Sequence, residues 1–283
     1  MRPIRTVLCP VDLSAATPRQ VGMAADLCRL FDARLVIHHN HAAAVSAVGV
    51  GWMWASEHDG QPCEAEAERC LNDLMGSVAG VAVEARLTRG LASTSVLATA
   101  FEVEADLVVV TTHDLQQEEH TSVTEQLLEE AGCTLLALHD AGAEGEGFRL
   151  GDAVAPARVL VPTDLSRDAG AAVEFAFDLA RRLPLELVLL HVAAPGRTPQ
   201  ESSGVATLLR ASVPAELAAR VEVRVVAGDP AAVIPQLARE LGTAWIVMGE
   251  HPRHGLRRWF SRDTSRAVLH RVPCPVWYVP AAS

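Results

Sequence analysis

Short apolar runs alternate with longer amphipathic segments along almost the whole chain. Runs such as 7–11 and 245–248 are rich in β-branched residues and have the length of buried strands. Between such runs, apolar residues recur every three or four positions, which predicts helices over 15–31, 93–104, 121–131, 169–183, 230–241 and 263–271. Strands that alternate with helices favour right-handed crossovers and a parallel sheet covered by helices on both faces.

The chain also contains an internal repeat that spans nearly all of it. Residues 7–14, VLCPVDLS, recur as residues 159–166, VLVPTDLS. Later segments recur in the same order, 35–39 as 187–191, 107–113 as 245–251 and 133–138 as 274–279. One duplicated unit therefore predicts an α/β protein of two domains, each a doubly wound five-stranded parallel sheet flanked by helices. We expect these domains at 1–140 and 157–283, joined by a Gly/Ala-rich linker at 141–156.

The segment that follows the run 245–248 is the strongest candidate for a binding site. Gly249 ends the run, an arginine-rich loop follows over 252–262, and a helical pattern begins near Asp263. In open α/β sheets, ligands lie outside the carboxyl ends of the strands, where loop backbone and helix N-termini hold phosphate. The corresponding segment of the first half, 107–113, has no glycine. The two halves are therefore expected to differ in ligand binding.

Charge is distributed unevenly between the halves. Residues 1–148 hold 8 arginines and 22 acidic residues, a formal charge of −14, whereas residues 149–283 hold 16 arginines and 13 acidic residues, a charge of +3. An acidic first half argues against nucleic-acid binding, and the second half suits anions better. The chain has no lysine, which excludes the lysine-containing phosphate loop. No apolar run is long enough to span a membrane and no signal-peptide core is present, so we expect a cytoplasmic protein without membrane contact.

Histidines and aspartates suggest two alternative chemistries, metal binding and hydrolysis. The stretch His38-His39-x-His41 resembles a metal-binding cluster, but neighbouring strand residues point to opposite faces, so His38 and His39 cannot both reach one ion. His39 and His191 are repeat-equivalent, which favours a role set by the fold. Asp164 and its repeat counterpart are typical of turns that cap the next helix. No second carboxylate and no Ser-His-Asp spacing accompanies them, so we expect neither a metal nor catalysis.

Five short motifs follow one another in the second half. They are VPTDLS at 161–166, LHV at 190–192, AGDP at 227–230, VMGEH at 247–251 and VPCPV at 272–276. Weaker versions of all five occur in the first half. Together these motifs resemble the universal stress protein family, here as a tandem of two domains. The resemblance implies Rossmann-like sheets whose nucleotide-binding members hold ATP at the carboxyl ends of the strands.

In the nucleotide-binding members that the resemblance points to, two positions contact adenine and ribose. One is an Asp after the first strand and the other is the residue after the second-strand His. These positions are Asp164 and Val192 in the second half, and Asp12 and Asn40 in the first. The phosphates are held by a Gly-x2-Gly-x9-Gly-Ser/Thr segment, and both halves depart from this pattern.

The departures weaken phosphate binding for physical reasons. Gly249 keeps the first glycine of the second half, but Pro252 and Arg262 stand at the later glycine positions, and the first half has Thr111 and Asp114 in place of its first two glycines. Glycine lets backbone adopt positive φ and approach an oxyanion, whereas proline removes an N–H donor. Losing one donor to a charged group costs about 1.5–3 kcal/mol, or about tenfold to a hundredfold in affinity. Arginine side chains in the loop can compensate, because their planar forks bind phosphate directly.

The resemblance therefore implies a nucleotide site in the second domain alone. The residues assigned to it are Pro162, Thr163, Asp164, Val192, Gly228, Met248, Gly249, His251, Arg253, Gly255, Arg262 and Ser265. We expect ATP or another anionic nucleotide there and no ligand in the first domain.

The expected function is that of a stress-response binding or regulatory protein with a protein partner, and weak ATPase activity is the one reaction left open. The alternative is a protein–protein adaptor in which both nucleotide sites are vestigial. By analogy with the family, strands near 135–138 and 276–279 are expected to pair and make a pseudo-dimer within the chain. The same analogy allows a homodimer of whole chains.

Overall fold

In the part of the chain that the structure describes, ten strands form one sheet that runs through both halves. The computed structural model describes residues 3–41, 63–112, 123–139, 157–196, 198–249, 262–272 and 274–281. The strand order is β3-β2-β1-β4-β5-β10-β9-β6-β7-β8. The expected α/β architecture of two doubly wound, five-stranded units is confirmed, because each half orders its own strands in the same way. The predicted linker 141–156 lies outside the described residues.

The described residues of the first half form five strands and four helices. Its elements are β1 Thr6–Val11, α1 Thr17–Phe31, β2 Arg34–His41, α2 Glu64–Ser77, β3 Val83–Arg89, α3 Ala92–Glu102, β4 Leu107–Thr112, α4 Val123–Glu130 and β5 Thr134–His139. All of its strand pairs are parallel, with β1 between β2 and β4.

Among the described residues, the second half repeats this order and also contains a short 3-10 helix at Ala215–Arg220. Its other elements are β6 Ala157–Pro162, α5 Arg167–Arg182, β7 Leu185–Ala193, α6 Pro199–Ala211, β8 Val221–Ala227, α7 Pro230–Leu241, β9 Trp245–Gly249, α8 Arg262–Arg271 and β10 Val276–Val279. Its strand pairs are also parallel. Among the described residues, no helix has the length and apolar character needed to cross a membrane.

The two halves join through β5 and β10, the strands expected to pair. They pair antiparallel, with Trp277 opposite Leu136. The Trp277 ring is fully buried and packs against Phe175 of α5, with the ring centroids 5.2 Å apart. On the surface, the Arg182 guanidinium lies over the ring of Phe31, 5.6 Å from its centroid. Backbone pairing and side-chain packing therefore make one continuous core from the two repeats.

Successive side chains along a strand point to opposite faces of the sheet, and this divides the core into two layers. Residues such as Val7 and Val161 face the layer that α1, α2 and α5 cover. Their neighbours, such as Leu8 and Leu160, face the layer that α3, α4, α7 and α8 cover. Because both faces of the sheet are buried, the strands appear in the sequence as continuous apolar runs.

The structure departs from the predicted helices in two respects. The turns that carry Asp164 and its counterpart Asp12 were expected to cap α5 and α1. Ser166 does cap α5 by accepting from the amide of Ala169 at 3.1 Å, but the N-cap of α1 is Ala16, which has no capping side chain. Helices α2 and α6 were not among those predicted, because their apolar residues are sparse. In α2, for example, only Ala67 and Leu71 are buried.

Candidate functional site

The turn after β6 lies at the carboxyl edge of the second half. The Asp164 Oδ1 atom accepts from the amide of Ser166 at 2.9 Å, and the Thr163 hydroxyl accepts from the amide of Leu165 at 3.1 Å. Leu165 adopts a left-handed conformation with φ 67°, as Leu13 does in the first half with φ 61°. The turn therefore fixes the Asp164 carboxylate at the strand end, as the turn-forming interpretation requires.

A buried histidine supports this turn in each half. The Nδ1 atom of His191 lies 2.9 Å from the carbonyl oxygen of Thr163, and the Nδ1 atom of His39 lies 2.8 Å from that of Val11. A carbonyl oxygen only accepts, so each Nδ1 carries the proton. His38, the neighbour of His39, points to the other face and pairs its Nε2 with the Thr88 hydroxyl at 2.9 Å. The prediction that His38 and His39 diverge is confirmed.

The crevice between β1 and β4 is bridged by a side chain that the sequence analysis missed. Strands β1 and β4 pair over only two positions and then separate. The Gln20 amide group lies between them and donates to the carbonyl oxygens of Pro10, at 2.6 Å, and Val109, at 2.9 Å. Its Oε1 atom accepts from the Thr111 hydroxyl at 2.8 Å. Doubly wound sheets bind their ligands in the crevice where two neighbouring strands separate. The buried Gln20 side chain closes this crevice in the first half.

The second half has different residues at the same two positions. Strands β6 and β9 also pair over two positions, so the sheet separates at the equivalent place. Ala172 of α5 corresponds to Gln20 and Gly249 corresponds to Thr111. A methyl group and a glycine cannot form the bridge. A glutamine within the apolar stripe of α1, set against an alanine in the repeat, was the sequence feature that could have revealed this difference.

The rims of the two crevices differ as well. In the first half, the Asn40 amide donates to the carbonyl oxygen of Gly90 at 2.9 Å, and its own oxygen accepts from the Thr88 hydroxyl at 3.3 Å. The amide nitrogen and the amide oxygen of Asn40 are therefore both hydrogen-bonded to β3 and the turn after it. Its counterpart Val192 is apolar and buried, and the counterpart of Gly90 is Gly228.

Gly228 occupies a position that only glycine suits. Its φ is 154°, and a Cβ atom there would come within 2.8 Å of a Val233 methyl group. The turn before α7 therefore brings its backbone close to the carboxyl edge without a side chain. Asp229 then caps α7 by accepting from the amide of Ala231 at 3.3 Å.

The remaining predicted site residues lie on β9 and α8. Met248 is buried in the core, so only its backbone is available at the edge, and Gly249 ends the strand. Helix α8 begins at Arg262, one residue before the predicted start, and the backbone carbonyl of Ser265 accepts from the Tyr278 hydroxyl at 3.1 Å. Three predicted site residues lie outside the described residues: His251, Arg253 and Gly255.

The structure thus gathers several predicted residues at one edge of the sheet. Because β9, β6, β7 and β8 are neighbours and parallel, their carboxyl ends meet there. The residues at or next to these ends are Pro162, Thr163, Asp164, Val192, Gly228 and Gly249.

Comparison with known proteins identifies the family. The sequence model of the universal stress protein family matches residues 3–139 and again residues 157–280. The chain belongs to the universal stress protein family. The two matched segments coincide with the internal repeat, so this is a tandem member, as the motifs indicated. A search of curated proteins gives no match.

Solved structures agree with this family at the level of the fold. A universal stress protein from Archaeoglobus fulgidus DSM 4304 has 17% identity, with 98% of this chain and 97% of its own covered and a TM-score of 0.66. A functionally unknown protein from Pseudomonas aeruginosa PAO1 has 15% identity, with 98% and 93% covered and a TM-score of 0.63. A universal stress protein in complex with cAMP has 21% identity and covers 48% of this chain, and its TM-score of 0.38 is too low for that ligand to be transferred.

Proposed function

We propose that this tandem universal stress protein binds an anionic nucleotide, with ATP as the first candidate, in its second half alone. The observation that supports this most strongly is the difference at the crevice. Gln20 and Thr111 bridge it in the first half, and Ala172 and Gly249 occupy the same positions in the second. A ligand that enters between β6 and β9 would meet no side-chain amide there.

The second half also has the chemistry that such a ligand requires. The turn at Thr163 and Asp164, together with Val192 and the backbone of Gly228, would hold the base and ribose. The phosphates would lie beside Gly249 and the start of α8, where the positive end of the helix dipole favours anions. Loop arginines such as Arg253 and Arg258 would supply guanidinium donors. The formal charge of +3 in this half, against −14 in the other, favours the same choice.

The role that we propose is binding and regulation rather than catalysis. Asp164 would act as a ligand contact, because its hydrogen bond to the backbone of the turn holds the carboxylate in place at the end of the strand. A cytoplasmic location is part of this proposal, since the cysteines are free and three of them, Cys9, Cys28 and Cys274, are buried in the core.

Thermal unfolding with and without ATP, ADP or AMP plus magnesium tests the proposal. A ligand at 100 times its dissociation constant adds about 2.7 kcal/mol to the stability of the folded state. We expect ATP to raise the unfolding temperature of the wild type, and Asp164→Ala to remove most of the rise. The matched variant Asp12→Ala changes the repeat-equivalent residue and should keep the rise. Equal losses from the two variants would contradict an asymmetric pair of sites.

The second candidate is a protein–protein adaptor with both nucleotide sites vestigial. The observation that favours it is the phosphate loop, in which Pro252 and Arg262 replace two of the three glycines. If none of the nucleotides changes the unfolding temperature of the wild type, the adaptor becomes the leading function.

A further inference from the structure

A groove opens between the C-terminal ends of α3 and α4, at the amino edge of the first half. It has a volume of about 560 Å³ and an apolar floor that includes Leu97 and Ala100. Phe101, on the last turn of α3, forms one wall and is 86% exposed. Single exposed apolar residues are common, but an aromatic ring that borders a concave apolar groove is characteristic of a contact surface.

In the second half, the equivalent gap between the C-terminal ends of α7 and α8 is filled by a side chain of the protein itself. Arg239 of α7 stands at the position of Phe101, and its Nη2 atom donates to the carbonyl oxygen of Arg271, at the end of α8, at 2.6 Å. A guanidinium group therefore links the two helix ends there. In the first half the corresponding wall is a phenyl ring, which cannot form this bond.

Backbone hydrogen bonds establish that the two helix ends are equivalent. After α3, the amide of Ala105 donates to the carbonyl of Ala100 at 2.9 Å, and after α7 the amide of Thr243 donates to that of Ala238 at 3.0 Å. After α4, the amide of Ala131 donates to Leu127, just as that of Val272 donates to Val268 after α8. The residue at the end of α4 that corresponds to Arg271 is thus Glu130.

The charge of the groove also favours a cation. Glu102, Glu104 and Glu130 border it, and Arg86 lies 3.7 Å from the Glu102 carboxylate, so three acidic groups face one arginine. The equivalents of the three glutamates in the second half are Glu240, Gly242 and Arg271. The C-terminal ends of both helices direct their carbonyl groups and the negative end of their dipoles towards the same place. An acidic rim around an apolar floor complements a side chain that is both cationic and planar.

We propose that this groove binds an arginine-bearing segment of a protein partner. The partner's guanidinium group takes the place that Arg239 holds in the second half, between the ends of α3 and α4, and stacks on the ring of Phe101. An apolar neighbour of that arginine covers Leu97 and Ala100. Because β5 and β10 pair antiparallel, the groove lies on the same edge of the sheet as the proposed nucleotide site, but in the other half. The two sites share no residue, so each proposal is tested by its own variants.

A short peptide tests this proposal on the full-length protein. The probe is a blocked peptide in which arginine and leucine alternate, and the comparison is the same peptide with lysine in place of arginine. Nuclear magnetic resonance shifts of the backbone amides report both the affinity and the position of binding. We expect shifts around Phe101 and Glu130 and a clear preference for the arginine peptide, because the lysine ammonium cannot form the planar fork.

Two matched variants give the decisive comparison. Phe101→Arg gives the first half the side chain that closes the gap in the second, and it should weaken peptide binding at least about tenfold, the change that corresponds to about 1.4 kcal/mol. Leu91→Arg adds the same charge at the other end of α3, where Leu91 is 77% exposed, and should leave the affinity within about twofold. Both sites are on the surface, so folding is not at risk.

Three outcomes would overturn the proposal. The first is an equal loss of affinity in Phe101→Arg and Leu91→Arg, which would mean that the added positive charge alone weakens peptide binding. The second is the absence of saturable shifts at the groove with peptide at about 1 mM, a concentration that detects even weak binding. The third is a concentration-dependent dimer in sedimentation experiments that Phe101→Arg abolishes, because the occupant would then be a second copy of this chain.

Discussion

Gln20 offers the most direct way to test how the first half closes its crevice. Its amide group makes three hydrogen bonds, to the carbonyls of Pro10 and Val109 and with the hydroxyl of Thr111, and the side chain is 1% exposed. Gln20→Met keeps the length of the side chain and removes all three bonds. Each lost bond costs about 1 kcal/mol where the partner is partly exposed, as Pro10 and Thr111 are, and up to about 3 kcal/mol where the partner stays buried, as Val109 does. We therefore expect a loss of about 3–5 kcal/mol in the free energy of unfolding.

Urea unfolding followed by circular dichroism measures this loss. The matched control is Gln236→Met on α7, where an exposed glutamine bonds Glu240, and it should change stability by no more than about 0.5 kcal/mol. A double-mutant cycle with Thr111→Val isolates the bond between Thr111 and Gln20, for which we expect a coupling of about 1 kcal/mol. If Gln20→Met costs no more than the control, Gln20 does not hold the two strands together, and the proposed difference between the two crevices is refuted.

Two further predictions concern the pH dependence of stability and the second crevice. Burial and the neighbouring His39 lower the pKa of His38 from 6.5 to about 4. His38 therefore favours the folded state above pH 6.5, and as the pH falls towards 4 this contribution of up to about 3 kcal/mol is lost, because the unfolded chain takes up the proton first. Urea unfolding of His38→Gln should show a weaker pH dependence than the wild type between pH 7 and 4.5, and an equal pH dependence of the two proteins would contradict this reasoning. Ala172→Gln should recreate the bridge between β6 and β9 and weaken any ATP-induced thermal shift, which the unfolding temperature with and without ATP measures, and an unchanged shift would contradict the bridge.

The fold was predictable because the pattern of each strand occurs twice in the sequence, once in each repeat. Two apolar runs at one offset, such as 7–11 and 159–163, support each other where a single run would be ambiguous. The polar helices α2 and α6 were not predicted, because few of their side chains are buried and the periodic pattern is correspondingly weak. Helix α6 begins with a capping box in which Thr198 and Glu201 bond each other's backbone amides. That local pattern was the available indication.

The differences between the two halves were only partly predictable. Gly249 and its counterpart Thr111 are visible in the sequence, and they motivated the asymmetric interpretation. The partner of Thr111 was not visible, because Gln20 lies 91 positions away and its role depends on the separation of β1 from β4. The exposure of Phe101 was hidden for a similar reason. A helix pattern does not specify which of its residues meets the end of a neighbouring helix.

The two repeats differ in a reciprocal way, and this suggests how one fold supports two tasks. In the first half, Gln20 bridges the carboxyl edge while Phe101 leaves the amino-edge groove open. In the second half, Ala172 stands at the bridging position while Arg239 links the ends of α7 and α8. These changes concern a few side chains, whereas the backbone hydrogen bonds after the helices are the same in both repeats. Since β5 and β10 join both repeats in one sheet, a ligand in one half and a partner on the other would act on a shared core.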